Sequence, residues 1–290
     1  MYRMYGFIKL RDRAMRSVFL FCAVFSILAL SCICIFLFAN GLPFIIKVGP
    51  DNFFGTTWNI FSGEYGIMSM IVTSLYVTAL ATMIGITIGL LTAVNLYKFC
   101  PPRVVGPVRQ MVNLLAGIPS VIFGLFGMIL IVPFLRDYIS PTNVGYGIFA
   151  ASLVLSVMIL PTIVSVSLDA LNAVPKSYYE GALALGATKE QCVFSVMLPA
   201  AKNGVLTAVV LSVGRAIGET MAVVMVIGGS PVMPEGLFQS ARTLTANIAM
   251  GATELTGDAA TALIATGLVL FFFTLLLNIS FSLLRGERKS

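Results

Sequence analysis

From Val18 to Ala39 the chain runs 22 residues without a charged side chain. Four further stretches, 65–97, 110–135, 138–168 and 259–284, are equally free of charge. A helix needs about 20 apolar residues to cross the hydrocarbon core of a bilayer, so each stretch is long enough to span one. A soluble domain carries roughly a quarter charged residues because its surface faces water. Here the charged share is 10%, against 58% hydrophobic. Twelve acids and eighteen bases cannot cover a globule of 290 residues, but they can cap the ends of membrane helices. The fold class expected is an all-α polytopic membrane protein.

Six spans are predicted, at about 17–46, 68–97, 111–135, 146–168, 203–228 and 259–284. The fifth differs from the others in holding two charges, Arg215 and Glu219. A basic N-tail (1–16) precedes the spans and a short tail (285–290) follows them, while 169–202 joins the fourth span to the fifth. The first run follows basic residues, as a signal peptide would. It is too long for a signal h-region and no clear A-x-A site follows, so it reads as an uncleaved anchor.

Lys and Arg in the loops orient the chain. With the N-terminus inside, fourteen of the eighteen bases face the cytoplasm, against Lys47, Arg136 and Arg242 outside and Arg215 within a span. Both termini are therefore expected to be cytoplasmic. Lys47 to Gly66, with the single tryptophan Trp58, and Gly229 to Asp258, where a short helix is expected, then face outward. In the N-tail, Tyr5, Phe7, Ile8 and Leu10 alternate with Arg3, Lys9 and Arg11. Both an interfacial helix and a plain positive-inside tail fit that pattern.

The same counts narrow the chemistry. There is no histidine, which removes imidazole metal sites, Ser-His-Asp triads and a histidine pH switch. Cys32 and Cys34 are two residues apart on a helix and do not face each other, and the five cysteines form no disulfide framework. No metal and no cofactor are expected. The net charge of +6 is spread between apolar runs, a pattern of membrane topology; nucleic acid is not an expected partner, and lipid is.

The loop from Asp169 to Lys202 carries signals of its own. Pro175 suits the first turn of a helix and Gly186 the left-handed position that ends it. Thr188 then opens T-x-x-Q with Gln191, the spacing of a capping box. Two short helices around a glycine turn are predicted, with Tyr179, Ala182, Leu183 and Gly186 on one face. Taken alone, such a pair could rest on lipid or dock against a protein.

The string E-G-A-x-x-x-G, Glu180 to Gly186, followed by Leu198-Pro199, resembles the EAA loop of binding-protein-dependent ABC importer permeases. Glu180, Ala182, Gly186, Leu198 and Pro199 match; Gly181 stands where the middle alanine is usual. The resemblance implies a type I ABC importer transmembrane-domain fold and a coupling helix seated in a cleft of a separate ATPase. Glu180, Gly181, Ala182, Leu183, Leu185, Gly186 and Ala187 are then the coupling residues. The chain has no G-x-x-x-x-G-K-[ST] motif, so ATP is hydrolysed by a partner and this chain is not itself an enzyme.

Arg215 lies about 13 residues into the fifth span, roughly 20 Å at helical rise, and so near the midplane. On a continuous helix Glu219 sits one turn later on the same face. A charge at a helix centre costs about 2.5–3.5 kcal/mol by insertion scales, so these residues must face protein or a wet path, with a partner. Two readings fit. The pair is an ion bridge that fixes packing, or Arg215 is an anion contact on a translocation path with Glu219 as its resting partner. A guanidinium fork matches phosphate-like oxyanions and stays charged at any working pH. Gly214 and Gly218 beside the pair allow a second helix to approach.

The surrounding string G-R-A-I-G-E-T-M-A-V, Gly214 to Val223, closely resembles the fifth-helix signature of phosphate-specific permeases of the PstC type. Tyr65-Gly66-Ile67, Gly117-Ile118-Pro119-Ser120 with Phe123-Gly124-Leu125, and Gly267 to Phe271 also fit, and the resemblance covers roughly Trp58 to Leu284. It implies a bacterial or archaeal cytoplasmic membrane and a substrate, inorganic phosphate, on a path through Arg215 and Glu219. It also implies three kinds of partner: a second, PstA-type permease, two cytoplasmic ATP-binding subunits and an extracytoplasmic phosphate-binding protein. Sulfate or molybdate transport by the same kind of permease is the nearest alternative, since charge and spacing alone do not separate the oxyanions. An ion-coupled secondary transporter is further off, because it needs no ATPase-docking loop and usually shows internal repeats. Pro119 and Pro161, each inside an expected span, kink their helices for packing or serve a gate.

Overall fold

The computed structural model describes the backbone of residues 2–141 and 143–286, with side chains at 15–141, 143–280 and 283. The N-tail side chains on which the interfacial reading rests lie outside the described residues, as do Arg288 and Lys289.

The first helix, α1 (Tyr2–Val48), is followed by a short α2 (Pro50–Phe53) and an antiparallel hairpin, β1 (Trp58–Asn59) with β2 (Glu64–Tyr65), in which Trp58 stands opposite Tyr65. Then come α3 (Met68–Val94), prolonged by a π turn at Asn95–Phe99, and α4 (Pro102–Ala116). Next, α5 (Ser120–Phe126) and α6 (Val132–Tyr138) are joined by a second π turn, before the long α7 (Ile148–Ala173). The loop beyond it holds α8 (Lys176–Ala184), α9 (Lys189–Gln191), a third π turn (Cys192–Met197) and α10 (Leu198–Ala200). The remainder is α11 (Lys202–Gly218), α12 (Met221–Ile227), α13 (Leu244–Gly251) and α14 (Asp258–Gly286). Among the described residues five helical runs are long and apolar enough to cross a membrane. A sixth is counted if 189–200 and 202–218, bent by 69°, form one span.

The centre of the bundle is α7, apolar round most of its circumference and buried on most of it, as a helix surrounded by others must be. It runs against α3, where glycines let the two backbones approach. A Cβ on Gly85 would stand 2.8 Å from Ile159 Cδ1, and one on Gly89 2.7 Å from Ile163 Cγ2. With no hydrophobic drive between helices in lipid, such close packing of small residues holds them together. By contrast α1 leaves most of its apolar surface exposed and leans chiefly on α14, with Phe44 near its end packed on Tyr65 of the hairpin. It meets that helix at Gly41, where a Cβ would be 3.2 Å from Ala265 Cα, and at an exposed Lys47–Asp258 ion pair of 2.8 Å.

Two expected spans are discontinuous. The third, expected as one helix over 111–135, belongs to two: α4 ends at Ala116, and a new helix starts at Ser120 with Pro119 as the extended residue before it (φ −57°, ψ 139°). Proline forces its predecessor out of the helical region and has no N–H for an interior bond, so Pro119 starts a helix instead of kinking one. The fifth, expected as a single helix from Asn203 to Gly228, breaks at Glu219. Pro161 lies inside a helix that runs unbroken through it.

Candidate substrate path and coupling surface

At the break in the fifth span, Gly218 ends α11 and Glu219 takes an extended conformation (φ −71°, ψ 129°). Glycine is a poor helix former, and the glutamate finds a better place outside the helix. Its Oε1 accepts the Ala222 N–H at 3.2 Å, so the carboxylate caps the free first turn of α12. The expected geometry of Arg215 and Glu219, one turn apart on a shared helical face, is therefore corrected. No ion pair joins them among the described residues.

Arg215 sits on the exposed side of α11, and its neighbours Gly214 and Gly218 have nothing within 4 Å of where a Cβ would be. The opposite side of the helix, with Ala208, Ser212, Ala216 and Ile217, is buried against its own chain. Arg215 thus points away from the bundle, along a strip of small residues on which a second protein surface could close. A guanidinium inside a bilayer is costly, so at the depth expected from the sequence the strip calls for a polar cover.

Beyond α12 the chain turns through Gly228 (φ +95°) and Gly229 (φ +86°), left-handed conformations that glycine adopts without steric cost. The Ala241 N–H donates to the Ile227 carbonyl at 3.0 Å and the Gly229 N–H to the Ala241 carbonyl at 2.9 Å. These bonds bring Arg242 back beside the end of α12. Its Nε donates to the Gly229 carbonyl at 2.7 Å and its Nη1 to Asn247 Oδ1 at 3.2 Å. Thr243 caps α13 through the Ala246 N–H (3.2 Å), and the Thr245 hydroxyl donates to the Glu219 carbonyl at 3.0 Å. The short helix expected in this segment is therefore present as α13. The role of its polar residues was not expected. The signal was Thr243-x-Thr245-x-Asn247, polar groups recurring in an apolar stretch, and all three are buried.

The α8–α9 segment matches the local expectations closely. Gly186 is left-handed (φ +83°), and the Thr188–Gln191 capping box closes with both bonds, at 2.9 and 3.3 Å. Pro175 stands just before the first turn rather than within it. The expected common face divides, however. Tyr179 packs inward on the cluster of Leu171, Val193 and Met197, with Lys98 Nζ 4.3 Å from its ring centre, whereas Leu183 and Leu185 turn out. Leu185 is 91% exposed. Glu180, Gly181 and Gly186 are exposed too, while Ala182 and Ala187 are half-buried.

The family described as "Binding-protein-dependent transport system inner membrane component" matches residues 85–286. A probable ABC transporter permease protein, YqgH of Bacillus subtilis, is 38% identical over 94% of this chain and 91% of its own length. Phosphate transport system permease proteins PstC are similar as well. That of Pasteurella multocida is 33% identical over 93% of this chain and 90% of its own length, and that of Mesorhizobium japonicum 32% over 88% and 84%. Among solved structures, a chain of the inward-facing MetNI methionine ABC transporter aligns with a TM-score of 0.60 at 24% identity, covering 76% of this chain and 96% of that one. A chain of a bacterial ABC transporter for alginate import gives 0.61 at 15% identity, covering 92% and 96%. The fold is that of an ABC importer permease.

Proposed function

Because this chain belongs to the family of binding-protein-dependent transport system inner membrane components, we propose that it is the PstC-type permease subunit of an ATP-driven importer of inorganic phosphate. Its likeness to PstC proteins over most of both chains supports the substrate. The observation that carries the reading is the placement of Arg215: an exposed guanidinium on a strip of small residues, one turn before a break in the span. A fork of N–H donors there meets two oxygens of a tetrahedral oxyanion at once, without a protonation step. The break keeps the carboxylate of Glu219 occupied at the Ala222 N–H, so it does not occupy the arginine. Phosphate then exchanges contacts with the guanidinium without first displacing an internal ion pair. In this reading the cover over the strip is a second, PstA-type permease, and the two chains share the path.

The rest of the machine follows from the other surfaces. Of the two cytoplasmic ATPases, one docks on the exposed edge of α8, with Glu180, Leu183 and Leu185, and the Gly186 turn transmits its closure through Tyr179 to the ends of α3 and α7. An extracytoplasmic phosphate-binding protein delivers substrate at the opposite end, over the Trp58 hairpin and the Gly229–Asp258 segment. The assembly sits in a bacterial or archaeal cytoplasmic membrane with both termini of this chain inside. The test is uptake of labelled phosphate by the reconstituted complex, with sulfate and molybdate in excess as competitors. Phosphate uptake that neither competitor reduces supports the reading. Uptake of sulfate or molybdate in its place overturns the substrate.

A further inference from the structure

Arg242 is a half-buried cation without a carboxylate partner among the described residues. Its two hydrogen-bond partners, the Gly229 carbonyl and Asn247 Oδ1, are both neutral. Asn247 is only 2% exposed, and its Nδ2 has no hydrogen-bond partner. A buried amide donor left unpaired costs free energy, and so does a desolvated cation without a counter-charge. Burial alone accounts for the lowered pKa of Arg242. Glu219, whose carbonyl Thr245 reaches, spends its carboxylate on the Ala222 N–H. A buried amide donor without a partner and a cation without a carboxylate therefore lie side by side, linked by the Nη1–Oδ1 bond, where a carboxylate would be expected if the purpose were only to fix the loop. The place is also joined to the substrate path, because Thr245, between the two residues in sequence, is bonded to the Glu219 carbonyl.

We propose that Arg242 and Asn247 form a second oxyanion contact, on the side of the Glu219 break away from α8 and α9, which receives the anion before Arg215 does. The free guanidinium N–H groups and the Asn247 amide each donate to an anion oxygen, and the two neutral acceptors hold the fork in position. Deepening the phosphate reading, this site is the outer of two stations, with the α12–α13 corner between them. Two weak stations suit transport better than one strong one, since a substrate must leave as readily as it arrives.

Asn247→Asp separates the proposal from a merely structural tether. The change keeps Oδ1 as the acceptor for Arg242 but replaces the free donor with a second oxygen carrying negative charge. A tether becomes stronger; an anion contact is neutralised and its occupant repelled. The complex, reconstituted with its binding protein, is assayed for labelled phosphate uptake and for ATPase stimulation, beside Arg242→Lys, which keeps the charge but loses the fork. We expect Asn247→Asp to lower uptake about tenfold or more, as for loss of a hydrogen bond to a charged group, with Arg242→Lys less affected. Stimulation of the ATPase should survive in both. The reverse order, with Asn247→Asp transporting as wild type and Arg242→Lys failing, overturns the site. If Asn247→Asp does not assemble, Arg242→Gln replaces it: uptake far below that of Arg242→Lys supports the site, and equal uptake overturns it. Uptake by the wild type checks the substrate separately. If it carries sulfate or molybdate, the variants are compared with that anion; if it carries no oxyanion, both readings fall.

Discussion

The Thr245 hydroxyl donates to the Glu219 carbonyl at 3.0 Å, across 26 residues of sequence. That carbonyl is available because α11 has ended at Gly218, and the contact fixes the first turn of α13 against the broken span. Thr245→Val keeps the shape and removes the donor. It should cost about 1 kcal/mol locally, the lower end of the penalty for an unpaired acceptor, because the Glu219 carbonyl is only partly buried. Uptake should fall while Thr245→Ser stays close to wild type, and thermal melting of the purified complex with parallel uptake assays checks both.

The glycines between α3 and α7 should tolerate little. Gly89→Leu places a side chain where even a Cβ would stand 2.7 Å from Ile163 Cγ2. Overpacking of this kind costs about 1–3 kcal/mol or more. The variant should assemble poorly in membranes, whereas Gly106→Leu, at a position with open space around it, should assemble normally. Quantifying complex recovered in detergent tests the pair.

On the proposed coupling surface, Leu185 is nearly fully exposed and makes little contribution to this chain's own packing. Leu185→Asp should leave insertion and thermal stability unchanged but weaken ATPase association, and Glu180→Lys should do the same or uncouple hydrolysis from uptake. Gly186→Ala acts differently, since φ +83° strains any other residue; about 1 kcal/mol is the expected cost. Pull-down of the ATPase with each variant measures the first effect, and melting measures the second.

Topology can be tested at exposed positions. Phe61 in the hairpin loop and Ser177 in α8 are both open to solvent, whereas Ala246, in the segment expected to face outward, is buried and would not report. In a cysteine-free background, Phe61→Cys should react with a membrane-impermeant thiol reagent from outside, and Ser177→Cys should not. The opposite labelling means that the distribution of Lys and Arg has misassigned the sides.

Much of this architecture is legible in the sequence because it rests on local rules. Charge-free runs mark the spans, Gly186 marks a left-handed turn, and Thr188 with Gln191 marks a helix start through bonds reaching only three residues. The break at Glu219 is harder to see, because Gly214 to Val223 reads equally well as one amphipathic helix. What decides it is a carboxylate that caps α12 and a threonine 26 residues away that takes the freed carbonyl. Arg242 was legible as a loop charge. Its burial depends on the return of the chain past Gly228 and Gly229, a long-range event with no periodic signature. The inward turn of Tyr179 likewise depends on Val193 and Met197, which reach it only through the π turn.

The central claim is that the anion passes over Arg215, and one substitution tests it most directly. Arg215 makes no ion pair among the described residues and stands on the exposed side of its helix. Arg215→Gln should therefore leave folding and assembly intact while removing the cation. Labelled phosphate uptake is measured with the reconstituted complex, normalised to assembled protein, with ATPase stimulation by the loaded binding protein recorded in parallel. The account predicts uptake at background with stimulation retained. Uptake at the wild-type rate in that variant would contradict it.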